Sequence, residues 1–279
     1  MLSIATDFAA DVGCPRPHLQ AIAEAGFSHV HWCHQWNTDF IYGLAEVEQI
    51  GRWLKECGLR LSDLHGSVGP EKDWCAPEEY RRLAGVELAA NRIEMTARLG
   101  GDAVVMHLAP EPLEASANAA YWLRVHKSLD QLEGACRRSK VRLALENMGK
   151  AQPGMAYCFE TIEKAFARHG DDCVGLCYDS GHGNLAGDGL DQLERFKGRL
   201  IAVHLHDNDG SGDQHRLPFT GTVDWPRVMR LIAQSSCRKG VTLEVGMRNS
   251  GFSEPGAFLS RAIETARALD EMIRPLISG

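Results

Sequence analysis

Six side chains of ligand type recur along the chain. His65, His107, Glu146, Asp179, His206 and Glu244 are separated by 42, 39, 33, 27 and 38 residues. Each closes an apolar run, as in Leu143-Ala144-Leu145-Glu146 and Val241-Thr242-Leu243-Glu244. Carboxylates gathered at one place repel one another and resist desolvation unless a cation neutralises them. No lysine ends any of these runs, so a divalent metal is the expected counter-charge. Mixed Glu, Asp and His ligation suits Zn or Mn, with Mg and Co also compatible.

Two further motifs extend the set. Asp179-Ser180-Gly181-His182 places an imidazole three residues after a carboxylate, and Asp213-Gln214-His215 supplies two more donors from one loop. Upstream, His31-Trp32-Cys33-His34-Gln35-Trp36-Asn37 combines aromatic faces with hydrogen-bonding groups. A sugar offers flat C–H faces and hydroxyl edges, so His34 and Trp36 are candidate walls of a substrate pocket.

The elements that must position these groups read as alternating strands and helices. Strands are expected at 2–6, 27–33, 59–64, 103–107, 141–146, 174–179, 200–206 and 241–245. Between them 43–57, 77–99, 115–139 and 255–269 carry apolar residues at helical spacing. Eight strands in 279 residues make about 35 residues per unit, the βα repeat of a (β/α)8 TIM barrel. A glycine-rich nucleotide fingerprint does not follow the first strand, where Asp7-Phe8-Ala9 stands. Period-two alternation turns Val141, Leu143 and Leu145 toward the helices and Glu146 into the barrel. The same rule turns His107, Asp179, His204, His206 and Glu244 inward. Of the two histidines on the seventh strand, His206 is nearer the rim and is the expected ligand, with His204 as its support. On the third strand Asp63 shares the inward face of His65. All six groups then meet at the carboxyl-end rim, where barrel enzymes keep their active sites.

Composition narrows the function classes. Lys and Arg number 30 against 37 Asp and Glu, a net charge of −7, which disfavours a nucleic-acid partner. No apolar run reaches the length of a membrane span. The first residues lack a cationic segment and meet Asp7, so no signal peptide is expected. Nine scattered cysteines, an odd number, fit a reducing cytoplasm better than a disulfide framework. A single barrel domain over 1–279 is expected, and homo-oligomerisation is left open.

In order, Leu145-Glu146-Asn147, Tyr178-Asp179-Ser180-Gly181-His182, His204-Leu205-His206-Asp207 and Leu243-Glu244-Val245 resemble the metal-binding motifs of the xylose-isomerase-like barrel superfamily, the sugar phosphate isomerase/epimerase family. The resemblance covers essentially the whole chain. Its ketose 3-epimerase branch implies one metal on Glu146, Asp179, His206 and Glu244, with His182 touching substrate. The type IV apurinic endonuclease branch implies three zinc ions and adds His65, His107, His182, Asp213 and His215. Where the ketose epimerases carry an arginine this sequence has His215, and their Pro-Gly-x-Gly reads Pro218-Phe219-Thr220-Gly221, so the substrate stays open. The expected activity is a metal-dependent sugar isomerase or epimerase, with Glu146 and Glu244 as acid–base pair and a metal-stabilised enediolate. The alternatives are a zinc phosphodiesterase or apurinic endonuclease, and a metal-dependent sugar lyase or dehydratase.

Overall fold

Why does this alternation close into a barrel? In the computed structural model, which describes residues 1–9, 13–66, 68–149, 155–156 and 159–277, eight parallel strands run β1 (Leu2–Ala5), β2 (His29–Trp32), β3 (Arg60–His65), β4 (Ala103–Met106), β5 (Arg142–Glu146), β6 (Val174–Asp179), β7 (Leu200–His204) and β8 (Val241–Leu243). Their spatial order is β8-β1-β2-β3-β4-β5-β6-β7. Just past the end of β7 the ring is nearly shut. Leu205 bridges Leu243, its N–H donating to Thr242 O at 2.9 Å while Glu244 N–H donates to Leu205 O at 3.2 Å.

Residue size divides each strand into two faces. Val104, Met106, Leu143, Leu145, Val174, Leu176, Val203, Val241 and Leu243 face outward into one continuous core with the helices. The inward positions Ala103, Val105, Ala144, Cys177, Ile201 and Ala202 form a second, smaller cluster inside the barrel. On the same faces, two residues later, stand His107, Glu146, Asp179 and His204, with His206 four residues past Ala202. The apolar floor and the polar mouth are thus consecutive layers of the same strand faces.

Helices pack outside the strands, among them α1 (Leu44–Glu56), α2 (Glu79–Leu99), α3 (Ala115–Ser139) and α4 (Pro255–Ile277). Gly100, at φ 82°, ends α2 in the left-handed conformation that a glycine adopts without a Cβ penalty. Six strands are shorter than expected, β2 by three residues and β7 and β8 by two. Beyond β7, Asp207 turns away to pair with Arg216 rather than with a sheet neighbour. A short antiparallel pair at the rim, Glu111–Pro112 with Met155–Ala156, was not anticipated; two-residue strands leave no periodicity to read. A register shift between Val30 and His31 sets His31 opposite Asp63, where straight continuation would have set it opposite Ser62.

Candidate metal centre

The short helix after β6 shows how the sequence aims its ligands. Asp179 is the N-cap of Ser180–Ala186, and its Oδ1 accepts from the His182 N–H at 2.6 Å. One carboxylate oxygen therefore shapes the turn that carries His182, and the other, Oδ2, lies 3.0 Å from His206 Nε2. Only glycine fits between them: a Cβ on Gly181 would stand 2.0 Å from the His206 ring. Ser180 Oγ fastens the same histidine from behind, donating to His206 O at 2.7 Å and accepting its N–H at 2.9 Å.

All nine expected donors converge. His107 Nε2 lies 3.1 Å and His65 Nε2 3.8 Å from Glu146 Oε2. His182 Nε2 and His215 Nε2 approach Asp213 Oδ2 at 3.3 and 3.1 Å, and His206 Nε2 lies 3.7 Å from Asp213 Oδ1. Glu244 Oε1 is 3.9 Å from His65 Nε2. Ligand atoms held about 2.0–2.2 Å from one tetrahedral ion stand roughly 3.3–3.6 Å apart, a range that the observed 3.1–3.9 Å brackets. Two compact triads stand out, His65–His107–Glu146 and His206–Asp213–His215. His206 Nδ1 is buried without a hydrogen-bond partner. The donors are imidazole and carboxylate, the chemistry of a zinc or manganese centre.

His204 occupies a place that alternation did not reveal. Its Nδ1 is 3.3 Å from Glu146 Oε1 and 3.2 Å from Glu244 Oε2, so one buried ring lies between the two carboxylates. Burial alone would push the Glu146 carboxyl up, but the His204, His107 and His182 rings hold it well below the usual range. Glu244 is likewise lowered against its burial, chiefly by His204. Burial, then the adjacent His107, pushes His65 down to about 3, leaving it neutral with a lone pair to offer. His215 moves the other way. Burial would lower it, yet the Asp213 hydrogen bond and the Glu244 charge carry it up to about 10.

The substrate-wall candidates separate. Trp36 lies over the ligands, its ring 4.5 Å from His65 and 5.7 Å from His107. His34 is farther off, beside the Trp32 ring, with its carbonyl taken by Tyr42 OH. Both line a polar cavity of about 160 Å³ with Asp7, His18, Gln35 and Asn37. Asp7 lies two residues past β1, on the same alternating face as Ala5, so the rule that found the other rim groups would have found it too. Two other tryptophans, Trp74 and Trp225, are buried in the core. Trp225 anchors its helix by donating to Asp207 Oδ2 at 3.0 Å.

Comparison with known proteins adds four likenesses. Residues 19–272 match the family described as xylose isomerase-like TIM barrel. The uncharacterised protein y4fM of Sinorhizobium fredii is 33% identical over 280 residues, covering 92% of this chain and 89% of its own. The probable endonuclease 4 of Mycobacterium ulcerans is 28% identical over 151 residues, which span 51% of this chain and 58% of that protein. Among solved structures, a D-tagatose 3-epimerase-like protein superposes with a TM-score of 0.78 at 17% identity, over 99% of this chain and 97% of the other.

Proposed function

The chain belongs to the xylose isomerase-like TIM barrel family, and from that premise we propose that it is a divalent-metal-dependent isomerase or epimerase of a sugar or sugar derivative. The observation that carries this reading is the pair Glu146 and Glu244, on β5 and just past β8, each within 3.3 Å of the single atom His204 Nδ1. Two carboxylates bracketing one point are what transfer of a proton between two faces or two carbons of a substrate needs.

Glu146, Asp179, His206 and Glu244 would hold the principal ion. His65, His107, His182, Asp213 and His215 offer further positions. A bound divalent ion supplies Lewis-acid stabilisation of the negative charge that α-proton removal puts on a carbonyl substrate. The chain's own residues do the rest. One of Glu146 and Glu244 removes the α-proton, and the other delivers a proton to the product. His204, beneath both, fixes their separation. Trp36 covers an apolar sugar face, while His34, His182 and His215 meet hydroxyls at the mouth. The eight described cysteines are all free, in keeping with a reducing compartment such as the cytoplasm. Among the described residues no helix is long and apolar enough to cross a membrane.

A second reading, a zinc phosphodiesterase acting on abasic DNA, draws on the outlying triads and the partial likeness to endonuclease 4. The net charge of −7 weighs against it. Incubating the metal-loaded enzyme with a ketose panel in D₂O tests both. The expected result is deuterium at the carbon next to the carbonyl, reduced about 10²–10⁴-fold in Glu146→Gln and Glu244→Gln. Loss of a β-substituent instead of simple exchange would assign a lyase. Unchanged activity in both variants, or cleavage of abasic DNA without exchange, would overturn the isomerase reading.

A further inference from the structure

Beside the His65 triad, on and just past β2, stand two donors that the nine-residue set does not use, His31 and Cys33, the His31 ring 5.7 Å from that of His65. A ring nitrogen of His31, the Cys33 thiol and a Glu244 carboxylate oxygen all lie within 4.8 Å of one another. His31 is fully buried and Cys33 nearly so. We propose that His31, Cys33 and Glu244 form an additional, thiolate-containing zinc position, with Glu244 shared with the principal centre. The inference rests on the reading of Glu244 as a metal-facing carboxylate.

The state of the His31 ring points independently to a ligand. Its Nδ1 donates to Asp63 Oδ1 at 2.6 Å, and its Nε2 is buried with no hydrogen-bond partner. Asp63 is fixed as the acceptor by Lys239 Nζ at 2.7 Å and by the Ser62 hydroxyl at 3.1 Å. Lys239 in turn binds Asp102 at 2.6 Å. Lys239 thus stands between two carboxylates, Asp63 and Asp102. One nitrogen of the His31 ring is held by a carboxylate and the other is bare. Metal-ligating histidines have this arrangement, in which the carboxylate sets the tautomer and raises the basicity of the ligating nitrogen. The register shift in β2 builds it, because it is the shift that sets His31 opposite Asp63.

The thiol decides the metal. Sulfur ligation selects zinc over manganese or magnesium, which prefer oxygen donors. The thiol points at His31 O, 3.9 Å away, and shares its cavity with Asp7. Zinc would be held by the thiolate, the thiol proton leaving to solvent through the cavity as the ion takes its place. The polar cavity lined by Asp7 and Cys33 gives the ion a way in.

X-ray absorption at the zinc edge on the zinc-loaded full-length chain tests this without relying on activity. The expected spectrum contains a sulfur shell at about 2.3 Å alongside nitrogen and oxygen neighbours. The sulfur shell should vanish in Cys33→Ser, and His31→Gln should lower zinc content by one equivalent. Cys177, which also lies near Glu146 and His204, is the control. In Cys177→Ser the shell should persist, a result that supports the site even where Cys33→Ser does not fold. A wild-type spectrum of nitrogen and oxygen alone, or a sulfur shell lost in Cys177→Ser or surviving in Cys33→Ser, overturns it. Zinc bound only through nitrogen and oxygen would leave the principal centre standing, whereas no bound metal at all would sink both readings.

Discussion

The rings of His206 and His215 lie stacked, 4.2 Å apart and 9° from parallel. They come from opposite ends of a tight excursion. Asp207 and Arg216 exchange both backbone hydrogen bonds, at 2.8 and 2.9 Å, and pin the loop between them. The pin sets the two imidazoles face to face with Asp213 in reach of both. His215 pays for its place with a left-handed backbone at φ 47°, a conformation uncommon outside glycine. Its Nδ1 is held by hydrogen bonding to Glu244 O at 2.9 Å.

That geometry predicts a partial loss. His215→Ala removes a donor from the Asp213 triad while leaving Glu146, Asp179, His206 and Glu244 in place. Metal analysis should find about one equivalent fewer per chain, with the principal ion retained. Retention of the full metal complement would mean that His215 contacts substrate or nothing at all. Backbone strain separates the two effects. His215→Gly should lose the same equivalent yet unfold at a slightly higher temperature than His215→Ala, as read by thermal melts of the metal-free proteins.

Much of this mouth was legible because alternation is a local property. Once Ala144 and Leu145 are assigned to opposite faces, Glu146 has no freedom left, and the same holds for Asp179 after Cys177 and His206 after Ala202. Asp63 sharing the inward face of His65 looked like a blemish in the pattern; it is the carboxylate that His31 and Lys239 meet inside the barrel. What the sequence could not carry was cross-barrel geometry. His204 between Glu146 and Glu244 depends on how far each strand is staggered against its neighbours. The β2 register shift likewise depends on a neighbouring strand and is invisible in His29-Val30-His31-Trp32 alone. The Lys239–Asp63 pair joins residues 176 apart, beyond any local pattern.

That pair makes a stability prediction. Asp63 is 1% exposed, and Lys239 reaches it from the bottom of the barrel. Burial by itself would raise the Asp63 carboxyl, but Lys239 and then His31 overcome this and hold it ionised. Lys239→Met leaves a buried carboxylate with only the imidazole to offset it. Breaking a buried pair in this way costs about 3–5 kcal/mol, which denaturant titration of the metal-free chain would register. Lys239→Met with Asp63→Asn should recover a good part of the loss, since the uncompensated charge is then gone. A Lys239→Met midpoint equal to wild type would show that His31 alone suffices.

The last prediction concerns pH, and its sign differs between the two forms of the protein. In the metal-free chain His215 titrates near 10, well above the ordinary histidine value of 6.5. A group whose pKa is raised by folding contributes stability that is complete below its unfolded pKa and disappears as pH rises through the folded one. The metal-free protein should therefore lose stability progressively from about pH 6.5 to pH 10 on account of this residue. Metal binding requires the same nitrogen without its proton, so the stabilisation that added zinc confers should grow over that same interval. Thermal melts from pH 6 to 10, with chelator and with zinc, would show the two curves diverging, and His215→Ala should narrow the gap. Curves that stay parallel across that range would mean that no proton is exchanged for metal at His215.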